Sequence, residues 1–215
     1  MALGAALSVG QLGPLIVADR DFVGMIDALK PELTSVERFI SLQKPDDASW
    51  DDYETLIAES DGAEPGIRIT EDDVQSIIFT AGTTGRPKGA MRTHRHLMSD
   101  ATASAIDLKV GYDEKVLITF PMYHVACEDN IVRHSLLSNT IYTKKEGGFN
   151  PPEVLDYIAK ERISRIQLVP TMIHSLIQVP DVDTYDLSSL KLILYAGSSM
   201  PVELLKKGLS IMEAT

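Results

Sequence analysis

One stretch of the sequence, from Ile77 to Ala90, has the residue types that a phosphate-binding loop needs. It reads Ile-Ile-Phe-Thr-Ala-Gly-Thr-Thr-Gly-Arg-Pro-Lys-Gly-Ala, so that an apolar, strand-like run is followed by glycines, threonines and a lysine. Glycines let backbone N–H groups approach an anion closely, threonine hydroxyls can donate to phosphate oxygens, and a lysine adds a mobile positive charge. The candidate binding residues are Thr80, Ala81, Gly82, Thr83, Thr84, Gly85 and Lys88.

The spacing within this stretch excludes a Walker A loop. That loop has four residues between its glycines and then Gly-Lys-Ser/Thr at the start of a helix. Here Gly82 and Gly85 are three positions apart, Pro87 precedes Lys88, and Gly89 follows it. The spacing therefore counts against a kinase or a nucleoside triphosphatase of the usual P-loop type. From composition alone, a flexible Gly/Thr turn between two strands stays an open alternative.

The segment from Phe79 to Gly89 closely resembles the phosphate-loop motif of the adenylate-forming superfamily. This group includes acyl-CoA synthetases, firefly luciferase and the adenylation domains of peptide synthetases. One position departs from the family pattern, because Ala81 stands where the family usually has serine. One hydroxyl donor is thereby lost, and we expect a weakened rather than an abolished contact with phosphate.

Three later segments resemble segments of the same family and follow in the family's order. Pro121-Met-Tyr-His124 resembles its Pro-x-aromatic-His segment, and Val169-Pro-Thr-Met172 resembles the next strand–helix junction. The run from Leu190 to Pro201 resembles the strand and turn that line the adenine and acyl sites. The resemblance covers most of the chain, from about Leu15 to Gly208.

The resemblance implies an AMP-forming acyl-CoA ligase that uses ATP, Mg²⁺ and coenzyme A. The carboxylate of a fatty or aryl acid attacks the α-phosphate of ATP, pyrophosphate leaves, and the acyl-adenylate passes its acyl group to the thiol. The resemblance gives Lys88 and Thr83 catalytic contacts with the departing phosphates. It places His124 beside the acyl pocket and the path of the thiol. It makes Gly197, Ser198 and Ser199 part of the acyl-adenylate site.

Composition limits the other classes of function. The chain has 215 residues and a net charge of −11, which argues against nucleic acid as a partner. The single cysteine, Cys127, excludes an internal disulfide and a cysteine zinc cluster, and it favours the cytoplasm. We find no uncharged apolar run long enough to span a bilayer, and we expect no metal site in the chain. The many carboxylates between residues 43 and 70 are interpreted as an acidic surface connection.

The elements that must position the loop alternate between strand and helix patterns. This rhythm predicts an α/β fold, with a mostly parallel sheet flanked by helices, as part of the N-terminal domain of an adenylate-forming enzyme. The predicted strands are Leu15–Ala18, Val36–Ser41, Ile77–Thr80, Val116–Phe120, Thr140–Thr143, Arg165–Val169 and Lys191–Tyr195. The predicted helices are one capped by Asp21 and ended by Pro31, then Asp51–Ser60, His94–Ile106, Glu128–Leu137, one that starts after Asn150, and Pro201–Lys207 with Gly208 at its end.

We expect residues 1–215 to be an internal piece of that large domain. Family members continue past Gly208 with a Tyr-Gly-x-Thr-Glu segment, a ribose-binding aspartate, a hinge and a C-terminal domain with a catalytic lysine. The chain alone is therefore predicted to be inactive, with exposed apolar surface that allows self-association. The alternative is a non-catalytic fragment that at most binds nucleotide or a partner chain.

Overall fold

The structure, a computed structural model, describes residues 15–43, 47–80, 88–143 and 148–213. The chain divides into two compact units, which meet in sequence between Thr93 and His94. Each unit has its own parallel sheet with helices beside it, so the predicted α/β class is confirmed. No helix in the described ranges has the length and apolar character needed to cross a membrane.

The first unit opens with a three-stranded parallel sheet in the order β1-β2-β3. Its elements are β1 (Leu15–Ala18), α1 (Arg20–Leu29), β2 (Arg38–Ser41), β3 (Asp51–Asp52) and α2 (Tyr53–Glu59). The predicted cap of α1 is wrong by two residues. Asp19 has extended backbone and its carboxylate accepts from the N–H of Asp21, which already lies in the first turn. The helix ends at Leu29, before a 3₁₀ turn that contains Pro31.

The acidic stretch after β2 contributes to the core of this unit. Trp50 is buried with Ala18, Ile26 and Leu33, and its indole Nε1 donates to Asp27 Oδ1 at 2.8 Å. Asp52 caps α2 by accepting from the N–H of Glu54 at 3.0 Å. This helix lies within the range predicted for it. A long antiparallel hairpin, β4 (Val74–Thr80) and β5 (Lys88–Thr93), completes the first unit.

The second unit is built on a four-stranded parallel sheet in the order β7-β6-β8-β9. Its strands are β6 (Lys115–Ile118), β7 (Thr140–Thr143), β8 (Arg165–Leu168) and β9 (Leu192–Tyr195). Its helices are α3 (His94–Asp107), α4 (Val125–Ser135), α5 (Pro151–Glu161), α6 (Pro170–Leu176) and α7 (Val202–Glu213). The largest buried cluster joins the apolar face of α5 to β8, as the 3.6-residue spacing of Val154, Leu155 and Ile158 predicts.

Two helix boundaries differ from the predictions by three residues or more. Helix α4 begins at Val125 instead of Glu128, because His124 caps it. Helix α7 continues through Gly208 to Glu213, so the prediction that this glycine ends the helix in a left-handed conformation is wrong. The physical reason is packing, since Leu204 and Ile211 both pack against the core of the second unit. A buried glycine in the helix interior is tolerated where the next turn gains such contacts.

Candidate functional site

The hairpin of the first unit brings together the two ends of the predicted phosphate loop. Thr80 and Lys88 form the last cross-strand pair of β4 and β5. The hydroxyl of Thr80 lies 3.4 Å from the carbonyl oxygen of Lys88, to which it donates. Both residues are exposed. The other predicted loop residues lie outside the described residues, and they are Ala81, Gly82, Thr83, Thr84 and Gly85.

Close packing against β4 explains why residue 89 is a glycine. A Cβ atom there would lie 2.8 Å from Cγ2 of Ile77 and 3.4 Å from Cε1 of Phe79. The first distance is shorter than carbon atoms tolerate, and Ile77 is branched close to its backbone. Gly89 therefore allows the apolar side chains of β4 to lie over the start of β5, directly beside Lys88.

The second unit has a topological switch point between the neighbouring strands β6 and β8. The chain leaves β6 towards one side for β7 and returns past β6 to form β8 and then β9, so the strand order reverses between β6 and β8. Ligands of open parallel sheets bind outside the carboxyl ends at such a switch point. The β6–β8 ladder has only the pairs Val116↔Arg165 and Leu117↔Ile166, whereas both outer ladders have four pairs.

His124 lies six residues after the end of β6, at this edge, and caps helix α4. Its Nδ1 accepts from the backbone N–H of Ala126 at 3.1 Å. Its ring stacks on the ring of Phe120, with centroids 5.6 Å apart and planes inclined by 19°. The side chain of His124 is exposed, as is that of Tyr123, which is 84% accessible. The structure thus places this predicted residue at a sheet edge suited to ligands.

A network around Gln167 ties the loop after β6 to β8. The hydroxyl of Thr119 donates to the carbonyl oxygen of Gln167 at 3.1 Å. The side chain of Asn130 donates to Gln167 Oε1 at 2.6 Å and to the carbonyl oxygen of Ala126 at 2.7 Å. Sequence reasoning missed this network. The only signal was a polar residue in the apolar run of β8, and its partners are 37 or more positions away.

Gly197, Ser198 and Ser199 follow β9 at the same edge of the sheet. Gly197 has a φ of +89°, which L-residues rarely adopt. A Cβ atom on it would lie 3.4 Å from Cγ1 of Val169, which follows β8. Ser198 and Ser199 are exposed. The three segments singled out in the second unit therefore leave the sheet at its carboxyl edge.

Cys127 does not form a reactive thiol–imidazole pair with His124. It is completely buried, and its sulfur lies 3.3 Å from the sulfur of Met122. Burial raises the pKa of the thiol, and the nearby charge of Glu128 adds to that effect. A raised pKa leaves the protonated form dominant at neutral pH, so Cys127 serves as a small buried side chain.

The opposite, amino edge of the same sheet holds buried charges. Glu114, which precedes β6, pairs with Arg165 at the start of β8, and Lys191 Nζ lies 3.3 Å from its Oε1. Burial acts to raise the pKa of Glu114, but hydrogen bonds and charge from Arg165, with a further bond from Lys191, hold it below its usual value. Arg165 also donates to the carbonyl oxygens of Leu108 and Lys109 at 2.9 and 2.6 Å.

His134, at the end of α4, is buried close to this charge cluster. Its Nδ1 lies 3.2 Å from the side-chain nitrogen of Asn139, whose oxygen accepts from the N–H of Glu114 at 2.9 Å. Because the amide nitrogen can only donate, Nδ1 accepts and the neutral ring carries its proton on Nε2. Burial, with the charges of Arg133 and Arg165, lowers the pKa of His134 to about 4.

Comparison with known proteins identifies the family of the chain. Residues 8–214 match the family model described as "AMP-binding enzyme". The chain is 31% identical over 158 residues to a feruloyl-CoA synthase from Amycolatopsis sp, a match that covers 72% of this chain and 32% of that protein. It is 30% identical over 143 residues to the long-chain-fatty-acid–CoA ligase FadD13 of Mycobacterium tuberculosis, covering 66% of this chain and 28% of that protein.

A solved structure supports the same fold. The chain superposes on the inhibitor-bound N-terminal domain of FACL13 from Mycobacterium tuberculosis with a TM-score of 0.83 and 24% identity. This match covers 95% of the present chain and 49% of that domain. The chain thus spans about a third of the length of the curated relatives it matches and about half of this structural relative.

Proposed function

The chain belongs to the AMP-binding enzyme family, and on that premise we propose that it takes part in the ATP-dependent conversion of a carboxylic acid to its coenzyme A thioester. Its relatives act as acid–CoA ligases, as their names state. The observation that carries the proposal is the closure of the phosphate-loop motif by the cross-strand pair of Thr80 and Lys88. The strands of the hairpin hold both ends of a glycine- and threonine-rich loop beside a lysine.

In the proposed reaction, the loop stabilises pyrophosphate as it leaves. A carboxylate oxygen of the acid attacks the α-phosphorus of ATP, and the bond from that phosphorus to the bridging oxygen of pyrophosphate breaks. The hydroxyls of Thr83 and Thr84 and the ammonium of Lys88 donate to the β- and γ-phosphates, and the backbone N–H groups of Gly82 and Gly85 add donors. The hydroxyl of Thr80 joins them by turning away from the carbonyl oxygen of Lys88. Donors fixed in advance where negative charge grows lower the barrier.

Magnesium is proposed to arrive with the nucleotide. The described part of the chain has no cluster of three or more His, Cys, Asp or Glu side chains that could hold a metal ion. Mg²⁺ typically keeps several water ligands and binds to substrate phosphates through few protein groups. An Mg²⁺ ion bound to the nucleotide would neutralise phosphate charge and would need few ligands from the protein.

The carboxyl edge of the second unit is proposed to receive the acyl-adenylate and then coenzyme A. His124 follows β6 there, and Gly197, Ser198 and Ser199 follow β9. Exposed Met122 and partly buried Met172 and Met200 offer apolar and polarizable surface. These side chains suit a fatty or aryl acid. Fatty acid metabolism in the cytoplasm is the proposed setting.

Transfer to the thiol completes the proposed reaction. The sulfur of coenzyme A attacks the acyl carbon, AMP leaves with the electrons of the acyl–phosphate bond, and the thiol proton passes to solvent or to a base. A carrier-protein thiol is an alternative acceptor for the same chemistry. Comparing the two acceptors with one acyl-adenylate distinguishes them.

We further propose that these 215 residues are not sufficient for the whole reaction. The chain covers about half of the structural relative's domain, and adenylation requires acid, α-phosphate and compensating charge to be aligned. The proposed properties of the chain alone are weak binding of ATP or pyrophosphate and self-association. Exposed apolar side chains such as Ile67, Ile69 and Met91 favour the latter, and analytical ultracentrifugation tests it. The alternative function is a non-catalytic fragment that binds nucleotide or a partner chain.

The experiment that tests the proposal is acid-dependent exchange of labelled pyrophosphate into ATP, with a panel of fatty and aryl acids. It is run on the chain and on any longer natural protein that contains it. In the active form, Lys88→Ala should lower the exchange rate about a hundred-fold, since removal of one such contact costs about 2–4 kcal/mol at the transition state. Lys160→Ala, on the exposed face of α5, is the matched control and should leave the rate unchanged.

Binding of pyrophosphate by the chain alone is measured in parallel by calorimetry. The proposal expects weak binding that decreases with salt, disappears in Lys88→Ala and persists in Lys160→Ala. Equal binding by both variants would contradict the role of Lys88. Acid-dependent exchange by the chain alone, lost in Lys88→Ala, would show that the chain is sufficient. Binding without exchange in every longer form would favour the non-catalytic alternative.

A further inference from the structure

We propose that Phe120 is a positioning residue that acts through His124, holding its neutral imidazole so that Nε2–H is the one ring donor offered to the bound acid. This inference rests on the proposed function in one respect only, which is that the ligand is the carboxylic acid. The arrangement itself is a property of the second unit, built from a helix cap and a ring stack that involve the same imidazole.

The helix cap fixes which nitrogen carries the proton. Nδ1 of His124 accepts the N–H of Ala126, and a nitrogen that accepts a hydrogen bond has no proton of its own. The neutral ring therefore carries its proton on Nε2. Nε2 has no hydrogen bond among the residues that the structure describes, so this donor is available.

The backbone on both sides of His124 is also held. Its own N–H donates to the carbonyl oxygen of Pro121 at 2.9 Å, and its carbonyl oxygen accepts from the N–H of Cys127 at 2.9 Å. The Cα–Cβ bond is thereby fixed in direction. The ring can still turn about its side-chain torsions, so a second contact is needed to fix its plane.

Phe120 provides that second contact. Its ring lies nearly parallel to the imidazole, with centroids 5.6 Å apart and an inclination of 19°, within the range of offset stacking. A turn of the imidazole would break both the stack and the bond to Ala126. Phe120 directly follows Thr119, which is anchored to the carbonyl oxygen of Gln167 in β8. The stack therefore connects His124 to the sheet at the switch point.

General packing does not account for the position of Phe120. Its side chain is only partly buried, and it is not a member of the main apolar cluster of the second unit. Its aromatic partner in the described part of the chain is His124. A residue that served only the core would lie among Leu117, Ile166 and Leu168, which are buried in that cluster.

The test reads the imidazole directly, by NMR of the chain labelled with ¹⁵N in its histidines. Loss of one signal set in His124→Asn, which keeps an N-capping side chain, assigns His124. At alkaline pH, wild-type His124 should show the Nε2–H pattern and ring protons shifted by the Phe120 ring current. Phe120→Leu, of similar apolar character, should lose that shift and mix the two tautomers. Phe120→Tyr should retain both features.

The outcomes separate this proposal from the proposed function. A wild-type Nδ1–H pattern, or an unchanged spectrum in Phe120→Leu, would overturn the positioning role whether or not the protein adenylates acids. In any form with exchange activity, Phe120→Leu should lower the rate about 2- to 10-fold and have no further effect in the His124→Asn background. An additive loss in that background would also overturn the proposal. Absence of exchange with the expected spectra would contradict only the proposed function.

Discussion

The two edges of the parallel sheet in the second unit hold polar side chains in opposite ways. At the amino edge, Glu114 and Arg165 are buried and pair with each other, and Arg165 also donates to two backbone carbonyl oxygens. At the carboxyl edge, His124, Ser198 and Ser199 are exposed. The polar side chains of the amino edge bond to other groups of the protein, whereas His124, Ser198 and Ser199 at the carboxyl edge are accessible to a ligand.

The difference follows from where charge is neutralised. A buried carboxylate is tolerated only when hydrogen bonds and opposite charge replace water. The partners described for Glu114, which are Arg165, Lys191 and Asn139, all belong to the second unit. The carboxyl edge has internal bonds as well, around Gln167 and at the cap formed by His124, but the side chains of His124, Ser198 and Ser199 stay exposed. We therefore expect substitutions at the amino edge to change stability, and those at the carboxyl edge to change mainly binding.

The largest expected effect is at Arg165. Arg165→Met removes the main counter-charge of Glu114 and should lower the free energy of unfolding by about 3–5 kcal/mol, because the carboxylate stays buried without its partner. Urea unfolding followed by circular dichroism measures the change. Glu114→Gln combined with Arg165→Met should recover a large part of the loss. If Arg165→Met alone were as stable as the wild type, the proposed difference between the two edges would be wrong.

The next effect is the acid sensitivity that His134 gives to the same edge. Its pKa is about 4 in the folded protein and near 6.5 when unfolded, so between these values the unfolded state binds more protons. Its contribution to stability is present above about pH 6.5 and is lost as the pH falls towards 4. Relative to His134→Gln, the wild type should lose about 2 kcal/mol between pH 7 and pH 5. Parallel stability curves would contradict the lowered pKa.

The sequence predicted the positions of the strands better than it predicted which segments pair with each other. The apolar runs Leu15–Ala18 and Thr140–Thr143 coincide with β1 and β7. By contrast, β5 is not among the predicted strands, because Lys88–Thr93 has no run of apolar or β-branched residues. A strand after the loop entered only through the alternative of a Gly/Thr turn between two strands. Its strand form comes from pairing with β4, which is a contact between segments and not a property of either one.

The candidate site was also only partly readable from the sequence. Resemblance made His124 a candidate, but the start of α4 was missed because histidine is not among the usual capping residues. The partners of Gln167 and of Glu114 are up to 77 positions away in the sequence, so nothing in a local pattern indicates them. Local periodicity placed the elements, whereas the contacts at both edges depend on how the strands are ordered.

At the carboxyl edge, Gly197 offers a test of backbone cost without buried charge. Gly197→Ala places a Cβ on a residue with a φ of +89° and close to Val169, so unfolding should become easier by about 1–2 kcal/mol. Gly24→Ala, in helix α1 with open space around it, is the control and should not destabilise. Thermal unfolding of both variants measures these changes in stability. Equal melting temperatures for Gly197→Ala and wild type would mean that the turn has another conformation.

The smallest expected effect is at Lys191, and it sharpens the account of the amino edge. Its ammonium is 3.3 Å from Glu114 Oε1, yet the lysine side chain is 62% exposed, whereas that of Arg165 is 8% exposed. Water and salt screen an exposed charge, so Lys191→Ala should cost only about 0.2–1 kcal/mol, and less in about 1 M salt. Urea unfolding at two salt concentrations measures this, with Lys206→Ala, which breaks an exposed pair with Glu203, as the control. A loss as large as that of Arg165→Met would assign the main counter-charge of Glu114 to Lys191, and burial would then not be what separates strong from weak ion pairs at this edge.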